Sequence, residues 1–126
     1  MPAAFLDQRY VLVVEDDPTL RELYRSTLRG AGYAVVAVGD GVDALRRVER
    51  DTPDAVVLDL GLPRLNGRDV QRELKSAPDT RHIPIVVVSG HDTSDLDETD
   101  FACILQKPVN PDSLLSAVQN CVRRRS

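Results

Sequence analysis

The chain has 126 residues, 42% apolar and 29% charged, with a formal net charge of −4. That length suits one domain with its own core. The acidic balance gives no electrostatic reason to bind nucleic acid, the absence of Trp argues against a base-stacking platform, and no apolar run reaches the ~18 residues of a membrane span. The opening MPAAFLDQRY has no basic region followed by an apolar core, so a secretory leader is not expected and a cytoplasmic protein is.

In chain order, YVLVV (10–14) is the first of several short β-branched runs that read as strands buried on both faces. Glu15-Asp16-Asp17 follows it. A helix comes next, with Leu20, Leu23, Thr27 and Leu28 on one face, Pro18 in its first turn, Asp17 as a possible cap and Gly32 past its end. AVVAV (34–38) is a second strand, and Gly39-Asp40-Gly41 after it reads as a plain turn. The spacing predicts a helix over 41–50 with Val42, Leu45 and Val48 inward. AVVL (55–58) is a third strand ending in Asp59, followed by a helix over 67–76 with Val70 and Leu74 apolar. IVVV (85–88) is a fourth, ending in Ser89-Gly90. The stretch 91–100, HDTSDLDETD, is acidic with one leucine and reads as a short helix or an irregular loop. FACIL (101–105) is a weaker fifth strand leading to Lys107-Pro108, and a last helix over 111–123 opens at Pro111, lined by Leu114, Leu115, Val118 and Val122. Cys103 and Cys121 have neither metal nor redox-motif spacing and read as free thiols.

Strand–helix alternation repeated along the whole chain implies an α/β fold: a doubly wound, five-stranded parallel sheet, (βα)5, with an atypical short fourth helix. One domain is expected over 1–126, with its core at about 9–123. In such a sheet ligands bind beyond the carboxyl ends of the strands. Four of those ends carry an acid, a hydroxyl or an amine. Carboxylates gathered in one crevice repel unless a cation sits among them, and oxygen ligands suit Mg²⁺. A hydroxyl and an ammonium at the same edge can bind phosphoryl oxygens, and a carboxylate there can act as nucleophile. Each piece also has an ordinary reading: Asp17 as a cap, Asp59 and Ser89 as turn residues, Lys107 as a solvated charge. Their coincidence at successive strand ends favours a site.

The motifs VLVVEDDPTLRELYRSTLRGAGY, DAVVLDLGLPRLNGRDV, PIVVVSG and ILQKP, in this order and spacing, resemble the response-regulator receiver family over Val11 to Val122. The resemblance implies a flavodoxin-like fold and two-component signalling. It assigns Asp59 as the phosphoacceptor. Asp16 and Asp59 would ligate Mg²⁺, with Mn²⁺ as a substitute, joined by the Gly61 backbone carbonyl and by Glu15 acting through a metal-bound water. Ser89 would be the switch hydroxyl and Lys107 the lysine that contacts the phosphoryl group, with a cis peptide before Pro108 typical of the position. The partners implied are a histidine kinase or phosphotransfer protein and an unidentified downstream protein, with no direct nucleic-acid or membrane partner. The chain would not be an enzyme beyond its own phosphotransfer and slow dephosphorylation.

Three places depart from the family pattern. Ile104 stands where the family often carries an aromatic switch residue. Ser89 to Lys107 is shorter than usual by about one helical turn, so the face built by 91–100 is expected to be remodelled. Gly61 and His91 occupy the two places that modulate loss of the phosphoryl group: glycine offers no shield, while His91 has either a water-orienting role or that of a solvated loop residue. The competing classes are a non-phosphorylated pseudo-receiver acting as an interaction module, which the filled acidic positions weaken, and an aspartyl-nucleophile phosphatase, which Gly61 disfavours because that class carries a second aspartate there.

Overall fold

The computed structural model describes residues 9–90, Leu96 and 101–125. The elements run β1 (Tyr10–Val14), α1 (Pro18–Gly30), β2 (Ala34–Val38), α2 (Gly41–Arg50), β3 (Ala55–Asp59), α3 (Gly67–Ser76), β4 (Ile85–Ser89), β5 (Cys103–Gln106) and α4 (Pro111–Arg125). All pairings are parallel, in the order β2-β1-β3-β4-β5. Four helices are described where five were anticipated, since the short helix expected within 91–100 falls outside the described residues apart from Leu96.

Alternating side chains divide the sheet into two cores, as a period of two requires. Leu12, Val14, Val56, Leu58, Ile85 and Val87 pack against Ala44 and Val48 of α2 and Val70 and Leu74 of α3. Val11, Val13, Ala55, Val57, Val86 and Val88 pack against Tyr24 and Leu28 of α1 and Leu114, Val118, Cys121 and Val122 of α4. Each buried Val or Leu contributes about 1.5–3 kcal/mol relative to exposure, so the sheet is the main source of stability. Expected burial of every strand on both faces holds for β3 and β4 and for β1 after Tyr10. It fails for β2 and β5, which are half-buried because they form the sheet's two edges.

Helix α1 departs from its expected face. Leu23 is 40% exposed, and Tyr24 is buried in its place, four residues before buried Leu28. The i, i+4 row aims those two at the sheet, and the phenol ring supplies more apolar area than its hydroxyl suggests. The ends of α1 follow expectation. Asp17 Oδ1 accepts from the Thr19 and Leu20 amides. Gly32, at φ 102, closes the helix as the Tyr33 N–H reaches the Leu28 carbonyl and its own N–H the Arg29 carbonyl, a pattern in which glycine avoids a Cβ clash. Leu115 of α4 is half-buried and packs against this core as expected, and Cys121, which was not expected there, is buried in it.

The parallel register aligns the carboxyl ends. Val14 lies beside both Val38 and Leu58, Asp59 beside Val88, and Ser89 beside Gln106. Residues that leave these strands therefore converge on one edge.

Candidate functional site

Glu15 follows β1 directly, and its N–H donates to the Val38 carbonyl of β2 at 3.0 Å. This anchors the turn before α1, where its Oε2 accepts the Asp17 amide at 3.1 Å. Glu15 is buried, Asp16 beside it is exposed, and Asp59 at the end of β3 is buried. One carboxylate oxygen from each of the three lies within 4.8 Å of the others. Asp59 Oδ1 accepts the Gly61 amide at 3.0 Å, a local bond of the kind short acidic side chains favour. Lys107 Nζ approaches from β5, 2.8 Å from Glu15 Oε1 and 3.3 Å from Asp59 Oδ2. Its own N–H donates to the Ser89 carbonyl at 2.8 Å, and the Lys107–Pro108 peptide is cis. Ser89 is buried at the end of β4. The edge thus brings together Glu15, Asp16, Asp59, Ser89 and Lys107 from four strand ends.

The electrostatics record excess negative charge. Burial raises the Glu15 carboxyl from 4.5 to about 7, against the opposing pull of Lys107, and the charge of Asp59 adds to the rise. Burial acts against the Lys107 ammonium, but its contacts with Glu15 and Asp59 outweigh that, and its net shift is upward. One ammonium does not neutralise three carboxylates, so the site favours a further cation. The donors are all hard oxygens, the set preferred by Mg²⁺ and poorly suited to soft metals.

Asp17 is only a cap, as expected. Ile104 is half-buried and packs on the α2–α3 core together with Leu96 and Phe101. Gly61 is exposed in the loop after β3. His91 lies outside the described residues.

Several residues near the edge had no sequence signal. Arg21 Nη1 donates to the Glu15 carbonyl at 3.1 Å. The Tyr24 phenol is buried, its pKa raised by burial and then by the charge of Glu15. Gly39-Asp40-Gly41 is more than the plain turn expected: Asp40 caps α2 through the Asp43 amide and pairs with Arg64 of the loop after β3. Only the crowding that glycine tolerates at Gly41 hints at that junction.

Comparison with known proteins agrees with this geometry. The family model for the response regulator receiver domain matches residues 11–119. Response regulator MprA of Mycobacterium leprae is 39% identical over 121 residues, covering 90% of this chain and 51% of that protein. The chain therefore spans about half the length of the curated relatives it matches. Among solved structures, the receiver domain of sensor histidine kinase PA1611 from Pseudomonas aeruginosa, with a magnesium ion coordinated in its active-site cleft, aligns with a TM-score of 0.82 at 29% identity over 92% of this chain and 98% of that one. The chemotaxis response regulator CheY4 of Vibrio cholerae aligns with a TM-score of 0.82 at 26% identity over 90% and 98% of the respective chains.

Proposed function

This chain belongs to the response regulator receiver domain family, and on that premise we propose that Asp59 accepts a phosphoryl group from a histidine kinase or phosphotransfer protein and passes the signal on as a conformational switch. The observation that carries this reading is the meeting of the Glu15, Asp16 and Asp59 carboxylates with the Lys107 ammonium at one sheet edge. Asp16, Asp59 and the Gly61 carbonyl would hold Mg²⁺, with Glu15 in support. When bound, the ion would neutralise charge on the carboxylates and on the incoming phosphoryl oxygens.

The chain's own residues do the rest. A carboxylate oxygen of Asp59 bonds to phosphorus as the P–N bond of the donor phosphohistidine breaks, and the electron pair leaves with the imidazole. An acyl phosphate remains on Asp59. The Gly61 amide orients the carboxylate through Oδ1. Lys107, 3.3 Å from Oδ2, is placed to pair with phosphoryl oxygens. The Ser89 hydroxyl turns toward the new group, and the displacement reaches the surface of β5 through Ile104, an aliphatic contact in place of a ring rotation. Gly61, exposed and without a side chain, leaves one side of the acyl phosphate open to water. Catalysis is confined to the chain's own phosphotransfer and slow dephosphorylation.

The direct test is phosphorylation with a small-molecule phosphodonor in the presence of Mg²⁺. The wild type should gain one hydroxylamine-sensitive phosphoryl group, and Asp59→Asn should gain none. Equal labelling of both would refute the assignment of Asp59, and no labelling of the wild type, with no response to beryllofluoride, would favour a pseudo-receiver.

A further inference from the structure

The loop from Leu60 to Asn66, which carries Gly61, is fastened to its surroundings at three points. At its end the Gly67 N–H donates to the Leu60 carbonyl at 3.0 Å, so closely that a Cβ on Gly67 would lie 2.5 Å from Leu60 Cα. Midway, Leu65 presses on the start of α2, where a Cβ on Gly41 would lie 2.9 Å from Leu65 Cβ. Between these contacts stands Arg64, with φ 63, a left-handed conformation that a side chain resists. The Leu65 N–H donates back to the Pro63 carbonyl at 2.8 Å, closing a tight three-residue turn around it. The Arg64 guanidinium reaches across to the β2–α2 junction, where Nη2 bonds Asp40 Oδ2 and lies 3.6 Å from Asp43 Oδ2. The other Asp40 oxygen accepts the Asp43 amide at 2.9 Å. One carboxylate is thus tied to a helix and to the loop at once.

We propose that Arg64, held by Asp40 and Asp43, is a positioning residue for the phosphoacceptor site. It stabilises the strained turn and so keeps Gly61 where its amide orients the Asp59 carboxylate. This inference rests on the function proposed above and adds residues to it. An ion pair with 55% of its arginine exposed is ordinarily worth little for folding. Here it would act on a backbone conformation with a competing alternative, which is where a small bias is felt.

The two accounts differ in sign. Coulomb's law alone makes Arg64 unfavourable to a cation at the neighbouring acids, so its removal should tighten Mg²⁺ binding. Positioning makes Arg64 favourable, so its removal should weaken it. The test is a Mg²⁺ titration of the unphosphorylated full chain, followed by the Gly61 amide resonance, on wild type, Arg64→Ala, Arg64→Lys, Asp40→Asn and the double variant. Asparagine caps a helix as well as aspartate does, so Asp40→Asn removes the charge and leaves the cap. Arg64→Ala is expected to weaken Mg²⁺ binding about threefold, the scale an exposed ion pair sustains, with Arg64→Lys recovering most of the loss. Asp40→Asn should weaken it similarly, and the double variant should be no worse than either single. Binding by Arg64→Ala as tight as wild type, or tighter, overturns the proposal while leaving the function standing. A wild type without any saturable Mg²⁺ response overturns both.

Discussion

At the residue scale, burial decides what the acids do. Glu15 is held at 1% exposure with its carboxyl raised to about 7, so its charged form is unfavourable even beside Lys107. Glu15→Gln, an isostere of the neutral form, should therefore stabilise the metal-free protein at pH 8, by on the order of 1–3 kcal/mol, while weakening Mg²⁺ binding. Urea denaturation with and without Mg²⁺ would show the two effects in opposition, and a loss of stability in both conditions would contradict this account. Tyr24 offers a second test. Its hydroxyl is buried with no hydrogen-bond partner among the described residues, so Tyr24→Phe should be neutral or stabilising by up to about 1 kcal/mol in the same assay. A loss beyond that range would reveal a bonding partner. The acids and Lys107 were legible because chemistry shows in residue type. Arg64 and Arg21 were not, since their roles come from which segments the fold brings together, and an arginine in a polar loop or on the polar side of a helix reads as solvated in any sequence.

At the scale of elements, the strands and three of the helix faces were legible because the periods of two and about 3.6 are strong signals in short β-branched runs and amphipathic segments. Edge positions were not. AVVAV of β2 looks as apolar as the central strands, yet its place at the rim follows from strand order, which depends on contacts distant in sequence. Leu23 misled for a related reason: one leucine suits the stripe as well as its neighbour until the helix is docked. The loop after β3 is the element most exposed to single changes. A Cβ on Gly67 would strike the backbone of residues 59 and 60 rather than a side chain that could turn aside. Gly67→Ala is thus expected to cost about 2–3 kcal/mol, the range of forced overpacking, and to shift the Asp59 and Gly61 amide resonances. A change under about 0.5 kcal/mol, within the usual scatter of surface substitutions, would mean that the loop is looser than this packing implies.

For the whole molecule, metal affinity and stability are linked. A ligand that binds only the folded chain adds about 2.7 kcal/mol at a hundred times its Kd, which for a domain of this size raises Tm by on the order of 10 °C. A thermal melt with saturating Mg²⁺ should show that rise in the wild type and little of it in Asp16→Asn, whose exposed carboxylate contributes to the cluster and little to the core. An equal rise in both would place the ion elsewhere. The molecule is one sheet with a core on each side, and β3 touches both. Like β1 and β4, it joins the two halves, and Asp59 ends it.

Lys107 draws these scales together. Its ammonium answers to carboxylates at the ends of β1 and β3, while its amide proton is held by the Ser89 carbonyl of β4. One residue is stitched to three strands by two ends of unlike character. Its amide proton is accordingly a built-in gauge: hydrogen exchange at that single position should slow or quicken as the acids beside it fill, reporting the state of the site from a bond that takes no part in its chemistry.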